Sequence, residues 1–487
     1  MKNIIYFIFL LFTASLFVAC EDFLEEDPRG KVIGDNALSS VEGLESALVG
    51  AYEPLKSSFN YGFAAAQTPA VLMGSDDLTT HPESNKQEMR EMDQFTASSL
   101  NGRIKMIWKG CYGSIQAANN IINNYQNIVG DEDMINHIVG EAYFLRAFDY
   151  YWLVRLFGDI PLIMTSAYSE DQLSVEKSSA SEIYELIISD LKQAEVLLPD
   201  NKRDPGRPGR ASAKTLLADA YLTMAGWPIH DQSKFELAAA MAKEVIDNKD
   251  VYGVNLNTPL TTLWSGFVDD DRSTEEVFAL SFYSGGNINA LNGIAAMPGD
   301  IGGWDDYFSE INFFLDFPEG IRKDITFDAE IDGSGWENCD TQHPYYRKFY
   351  VRNEDGSYLK DYRTSASIIF YRYAHVLLIY AEAQARLGSI NDDTYDALNA
   401  VRERAGLEPV SGLSSSEFIE AVINERKWEF AGEFTRWFDL VRLERVAAAN
   451  ANRDPREIDL IGHPSDETHE GYYLPIPGED ASKNPNL

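Results

Sequence analysis

Apolar residues recur at spacings of three and four over most of the first half of the chain, and this period predicts helices. Asn36 to Lys56 carries Leu38, Val41, Leu44, Leu48 and Tyr52 in this pattern. Asn101 to Tyr125 and Asp131 to Leu156 follow, the latter with Ile138, Ala142, Leu145, Phe148 and Trp152 on one face. Gly158-Asp159-Ile160-Pro161 stops it. Further helices are predicted over Ser179 to Leu198, Ser212 to Met224 and Ser233 to Asn248, with a polar Gly- and Pro-rich turn from Asn201 to Gly209. The period fails from about 251 to 365. That stretch is rich in Gly, Asp, Asn and aromatics, with short apolar runs such as Val277-Phe278-Ala279-Leu280, and reads as loops with a few short strands or helices. Helices resume over 366–387, Thr394 to Arg404, Glu417 to Phe430 and Glu433 to Val446, before a polar, Pro-containing tail over 447–487. In 366–387, Tyr373, Leu377, Tyr380 and Gln384 form one stripe, and Ala374, Ala381 and Ala385 an adjacent small one. Helix pairs with Ala and aromatic residues on facing sides suggest a mainly α, tetratricopeptide-like helical-repeat scaffold, the alternative being an irregular helical domain. A long irregular insertion in a compact protein usually has a functional reason.

The first twenty residues are different. Lys2 precedes an apolar run, Ile4 to Val18, interrupted only by Thr13 and Ser15. A basic start and a greasy segment shorter than a membrane span make a secretion signal. Its end, Leu16-Phe17-Val18-Ala19-Cys20, is similar to a bacterial lipobox, in which Cys20 is acylated. The expected organisation is a signal peptide over 1–19, an acidic lipid-anchored tether over 20–35 and one domain over 36–487. Within that domain the helical scaffold occupies about 36–250 and 366–446.

Charge narrows the function. With 77 Asp plus Glu against 41 Lys plus Arg, the net charge is −36. Such a field repels phosphate and argues against nucleic acid. Dinucleotide, Walker, nucleophile-elbow and zinc-protease motifs are all missing from the sequence. Asp269-Asp270-Asp271 and Asp305-Asp306 could bind calcium, since carboxylates suit hard cations, but neither fits a calcium-loop pattern. Cys111 and Cys339 could pair or remain separate. The aromatics of the insertion are more informative. Trp264, Phe267, Trp304, Tyr307, Phe308, Trp336, Tyr345 and Tyr346 sit amid Gly, Asp and Asn. A sugar ring packs its C–H face on an aromatic plane while Asp, Asn and Arg meet its hydroxyls. The same aromatics could equally anchor a long loop to the scaffold.

Several strings together resemble the SusD/RagB family of Bacteroidetes nutrient-binding outer-membrane lipoproteins. They include Leu145-Arg146-Ala147-Phe148, Leu153-Val154-Arg155-Leu156-Phe157-Gly158-Asp159-Ile160-Pro161, Gly206-Arg207-Pro208, Tyr380-Ala381-Glu382-Ala383 and Asn424-Glu425-Arg426. Arg436-Trp437-Phe438-Asp439-Leu440-Val441-Arg442 and Leu474-Pro475-Ile476-Pro477 complete the series, in family order. The resemblance implies a SusD-like fold and a non-catalytic, surface-exposed lipoprotein on the outer membrane. It implies capture of oligosaccharides for a TonB-dependent, SusC-like transporter, with no cofactor. The alternative is a lid or protein-interaction subunit handling a peptide or other non-glycan nutrient. The resemblance also implies a ligand site on the variable face, built from the loop near 70–95 and from the insertion. Asp76, Asp77, Trp304, Asp305, Tyr307 and Trp336 occupy those regions. Arg146, Arg155 and Arg436 are expected to pair with helix acids or loop carbonyls. His375 stands where the family commonly has Asp.

Overall fold

Several helices begin at a capping side chain. The hydroxyl of Ser40 accepts from the Gly43 N–H, Asn101 from Arg103 and Ile104, and Asp131 from Met134. Ser179 and Glu182 form a full capping box, as do Ser414 and Glu417. The computed structural model describes residues 38–57, 62–64, 66–82, 85–166, 174–264, 274–282, 292–350, 352, 353, 355, 357, 358 and 367–487. The predicted signal segment, Cys20, the acidic tether and Asp269–Asp271 lie outside the described residues.

The main helices are α1 (Val41–Lys56), α2 (Gly102–Asn124), α3 (Glu132–Phe157), α4 (Ala180–Leu197), α5 (Arg210–Met224) and α6 (Lys234–Asp247). After the insertion come α7 (Tyr373–Arg386), α8 (Asp392–Arg404), α9 (Ser415–Glu429) and α10 (Arg436–Arg442). From α1 to α8 each packs on the next in sequence, and α7 also packs on α9. This is the nearest-neighbour stacking of a helical-repeat scaffold. α6 packs on α7 although the insertion separates them in sequence, so the insertion leaves and re-enters between two stacked helices. The scaffold is mainly α, as the periodicity predicts.

Two central helices are buried all round. Every residue from Phe144 to Phe157 in α3 and from Ala211 to Met224 in α5 is buried. Polar groups there must find partners. The Arg146 guanidinium donates to both Asp190 oxygens at 2.7 Å and to Asn119. Arg155 donates to the Tyr151 carbonyl at 3.0 Å and lies over the Tyr151 and Phe438 rings. Gly158, at φ +70°, ends α3 against the ring of Tyr473, a conformation and a clearance that only Gly meets.

Two stretches depart from the predicted helices. Residues 368–372 are a strand, not the first turn of α7. This strand, β4 (Ile368–Arg372), pairs antiparallel with β2 (Glu276–Leu280), matching Ile368 with Leu280 and Arg372 with Glu276. A continuous apolar run with a β-branched start suits a buried strand, and the Val277–Leu280 run is its partner. Glu433 to Val446 is not one helix either. Gly432 and Phe434 take positive φ in a turn, and α10 starts only at Arg436. His375, the departure from the family pattern, lies flat on Phe430 at 3.7 Å, and its Nδ1 accepts from the Arg372 N–H. Burial, reinforced by Arg372 and Arg426, holds its pKa well below the usual histidine value.

Cys111 and Cys339 are both buried and free, so the pairing alternative is not realised. Among the described residues no helix is long and apolar enough to cross a membrane.

Candidate functional site

The insertion is folded onto the loop near residues 76–95. Strand β3 (Phe308–Ser309) pairs antiparallel with β1 (Leu78–Thr79), with Leu78 opposite Ser309. Just before β3, residues 297–306 close on the short helix Asn292–Ala296. The Gly303 N–H donates to the Pro298 carbonyl at 2.8 Å, Trp304 to Ile294 at 2.9 Å and Asp306 to Ala295 at 2.9 Å. A Cβ on Gly303 would collide with the Met297 carbonyl, so the turn demands glycine there. Asp305 adopts φ +51°, unusual for a non-glycine residue. Its carboxylate is held by two donors, the Gly299 N–H and the Tyr345 hydroxyl, each at 2.6 Å. Burial, then the charge of Asp305, pushes the Tyr345 phenol pKa up, so it stays a donor.

This loop presents Trp304 half-buried, one side packed on the core. Asp305 follows it, and the next residue, Asp306, is tied through Lys86 to the segment after β1. Lys86 pairs with the Asp306 carboxylate, and Arg103 reaches Glu88 at 3.4 Å. The Asp300 carboxylate accepts from the Asp340 N–H at 3.3 Å, tying the turn to the next segment of the insertion. Trp304 and Asp305 are therefore the sequence candidates that the structure brings together at the surface. Lys86, Glu88, Arg103 and Asp300 were not singled out by sequence reasoning. A lone charged residue in a polar loop gives no signal until a strand pairing such as β1–β3 places it.

The other candidates are structural, and this corrects the expectation. Tyr307 is 0 % exposed and packs near Phe349 and Phe434. Trp336 is 6 % exposed, its ring in edge contact with Phe314 and covered by the Arg456 guanidinium at 5.3 Å. Neither offers a free ring face to a sugar. Asp77 is buried beneath the loop. It accepts from the Ser75 hydroxyl at 2.6 Å and the Gly432 N–H, and its carbonyl accepts from Tyr346. Burial pushes its carboxyl up to about 6. Asp76 is gripped by Arg436, whose Nε and Nη2 donate at 2.6 and 2.8 Å. Burial opposes ionisation of Asp76, but Arg436 and Lys427 outweigh it and hold its pKa below the ordinary value. Of the other aromatics, Phe308, Tyr345 and Tyr346 are buried, whereas Trp264 is half-buried against Phe349 and Lys348. Phe267 lies outside the described residues.

No group of three or more His, Cys, Asp or Glu side chains converges for a metal among the described residues. Asp305 and Asp306 turn to different partners, two donors and Lys86 respectively. They do not converge on one cation.

Two family models match the chain. The model described as SusD family covers residues 327–487, and the model described as starch-binding associating with outer membrane covers residues 22–222. A curated relative, SusD-like protein P2 of Formosa agariphila, is 29% identical over 100% of this chain and 98% of its own. A SusD-like protein of Bacteroides ovatus is 25% identical over 88% of this chain and 80% of its own. Among solved structures, a SusD superfamily protein from Parabacteroides distasonis superposes with TM-score 0.75 at 24% identity, covering 92% of this chain and 98% of that one. Surface glycan-binding protein A from Bacteroides thetaiotaomicron, solved in complex with laminarihexaose, gives TM-score 0.74 at 20% identity, covering 92% and 99%.

Proposed function

Because the chain belongs to the SusD/RagB family, we propose that it is a glycan-binding lipoprotein of the outer membrane, anchored through Cys20 and facing the cell exterior. It captures oligosaccharides on the face around Trp304 and hands them to a SusC-like TonB-dependent transporter. It performs no chemistry on them and uses no cofactor. The observation that carries this reading is Trp304 itself. It is half-buried against the core, and its backbone N–H is fixed by the Ile294 carbonyl. A rigid ring with one side on the core loses little entropy when a sugar stacks on it. The family model's starch-binding description and the laminarihexaose held by a protein of the same fold support the ligand class.

The test is a polysaccharide panel screened against residues 21–487, followed by titration of the best ligand. Trp304→Ala is expected to weaken binding about tenfold or more, the scale of a buried aromatic anchor, with thermal stability nearly unchanged. Undiminished affinity for a confirmed ligand would remove Trp304 from the site. A panel negative throughout, beside a positive peptide pull-down, would replace the glycan with a peptide.

A further inference from the structure

Asp305, beside the half-buried indole of Trp304, has its backbone at φ +51°. That region costs an L-residue free energy and persists only where the surroundings hold it. Backbone bonds hold this residue less well than its neighbours. Its N–H reaches the Met297 carbonyl at 3.3 Å, against 2.9 Å for the bonds made by Trp304 and Asp306. The carboxylate supplies the rest, and it is turned inward. The Gly299 N–H and the Tyr345 hydroxyl both donate to the same oxygen, Oδ1. The other oxygen, Oδ2, fills the space where a Cβ on residue 299 would stand. Gly299 does not itself take positive φ, so its bare Cα serves to admit this carboxylate.

Tyr345 is an anchor. It is 0 % exposed, and its strand, Tyr345–Tyr346, pairs antiparallel with Phe327–Asp328. Its ring meets Phe308 edge-on at 5.4 Å. Its hydroxyl also lies 2.8 Å from that of the buried Thr341. A carboxylate only accepts, so the one phenol proton goes to Asp305, and the Thr341 hydroxyl must donate to the Tyr345 oxygen. The chain therefore runs from Thr341 through Tyr345 to Asp305 Oδ1, each bond polarising the next.

We propose that Tyr345 is the positioning residue of the Trp304 face. Acting through Asp305, it holds residue 305 at positive φ and so sets the direction of the adjoining Trp304 ring. Asp305 orients the ring and does not meet the sugar. The use of this device in binding rests on the Trp304 reading, whereas the orientation itself is tested without ligand.

The test labels residues 21–487 with 5-fluorotryptophan and records fluorine NMR spectra. The eight tryptophans all lie within this span, and the Trp304 line is assigned by its loss in Trp304→Phe. Tyr345→Phe removes the donor, Asp305→Ala removes the acceptor, and Gly299→Ala expels the carboxylate while leaving Tyr345 and Trp304 in place. Each is expected to shift or broaden the Trp304 line while those of Trp108 and Trp152, in the helices, stay unchanged. Asp305→Asn keeps an acceptor oxygen and tolerates positive φ, so it should retain the wild-type line. Tyr345→Phe combined with Asp305→Ala should move the line no further than Asp305→Ala alone, because both remove one interaction. Should Tyr345→Phe fail to fold, Gly299→Ala and Asp305→Asn still decide. Laminarihexaose, the glycan held by a protein of the same fold, is the binding probe. With the ring in place about a fifth of the time, affinity in Tyr345→Phe falls about fivefold, against tenfold or more in Trp304→Ala. A Trp304 line unmoved by Tyr345→Phe, or all eight lines moving together, overturns the proposal. Full affinity in Tyr345→Phe beside a loss in Trp304→Ala overturns it too. A selective shift absent from Asp305→Asn, with affinity unchanged in Trp304→Ala, would keep the positioning role and remove the sugar from that face. Failure of the wild type to bind laminarihexaose bears on the ligand alone, and the spectra then decide.

Discussion

At the scale of single residues, Asp77 shows why neighbouring acids in one sequence motif play different parts. Asp76 has Arg436 and ionises readily, whereas Asp77 has only neutral donors and is fully enclosed. Its folded pKa of about 6 lies above the ordinary 3.8. A raised carboxyl pKa means that the folded state holds the proton more tightly than the unfolded one. The associated stability is fully present below about pH 4 and is lost as the pH rises through 6. Asp77→Asn removes this titration. Chemical denaturation from pH 7.5 down to 5 should therefore show wild type gaining stability relative to Asp77→Asn. A difference between the two that does not move with pH would place the carboxyl at its ordinary pKa. The sequence could not separate Asp76 from Asp77, or Trp304 from Trp336. Each pair has the same side-chain chemistry, and only the partner brought by a distant segment separates its members: Arg436 pairs with Asp76 and not Asp77, and Arg456 covers Trp336 and not Trp304.

At the scale of elements, the helices α2, α3 and α4 were legible almost to the residue, because each begins at a capping side chain, Asn101, Asp131 or Ser179. The strand β4 was not. Its apolar run abuts the helix without a break, and only β2, nearly ninety residues earlier, defines it. The join is fixed by charge. Arg372, at the end of β4, is 0 % exposed and donates to Glu275, Glu429 and Glu433 at 2.6–2.9 Å. Glu429 of α9 also meets Arg404 and Arg322. Burial alone would raise the Glu429 pKa, but Arg404, Arg372 and Arg322 hold it well below the usual range. Its stabilising effect is accordingly present above the unfolded carboxylate pKa, about 4.3, and is lost as the pH falls through the lower folded value. Glu429→Gln strands several buried guanidinium groups and should cost about 3–5 kcal/mol, read as a lower urea midpoint with an unchanged slope. Arg445→Ala, which breaks an exposed pair with Glu420, should cost about 0–1 kcal/mol. Comparable losses in the two variants would mean that the interior network contributes no more than a surface pair.

At the scale of the whole molecule, the question is whether the insertion is an appendage or part of the scaffold. Its irregular sequence sets it apart from the helical pattern, yet its described residues share one hydrophobic cluster with the helices. Tyr307, Trp336 and Phe349 belong to the same cluster as Phe144, Leu216 and Tyr380. Polar ties reinforce the joint: Tyr346 donates to the Asp77 carbonyl, His343 meets Glu457 at 3.2 Å, and Lys348 donates to the Glu429 carbonyl. Most of its described aromatics thus anchor the insertion, with Trp304 and Trp264 only half-buried, and the proposed site on so firmly held a loop would be preorganised rather than assembled by the ligand. Regions that open separately are those with few buried apolar contacts, and the described part of the insertion does not meet that condition. Calorimetry of residues 21–487 should accordingly give one endotherm whose calorimetric and van't Hoff enthalpies agree. Tryptophan emission, which includes Trp304 and Trp336 in the insertion and Trp108 and Trp152 in the scaffold, should change at the same temperature as the helical circular dichroism. An early fluorescence transition ahead of helix loss would show the insertion melting alone, and the Trp304 face would then be ordered only when a glycan is bound.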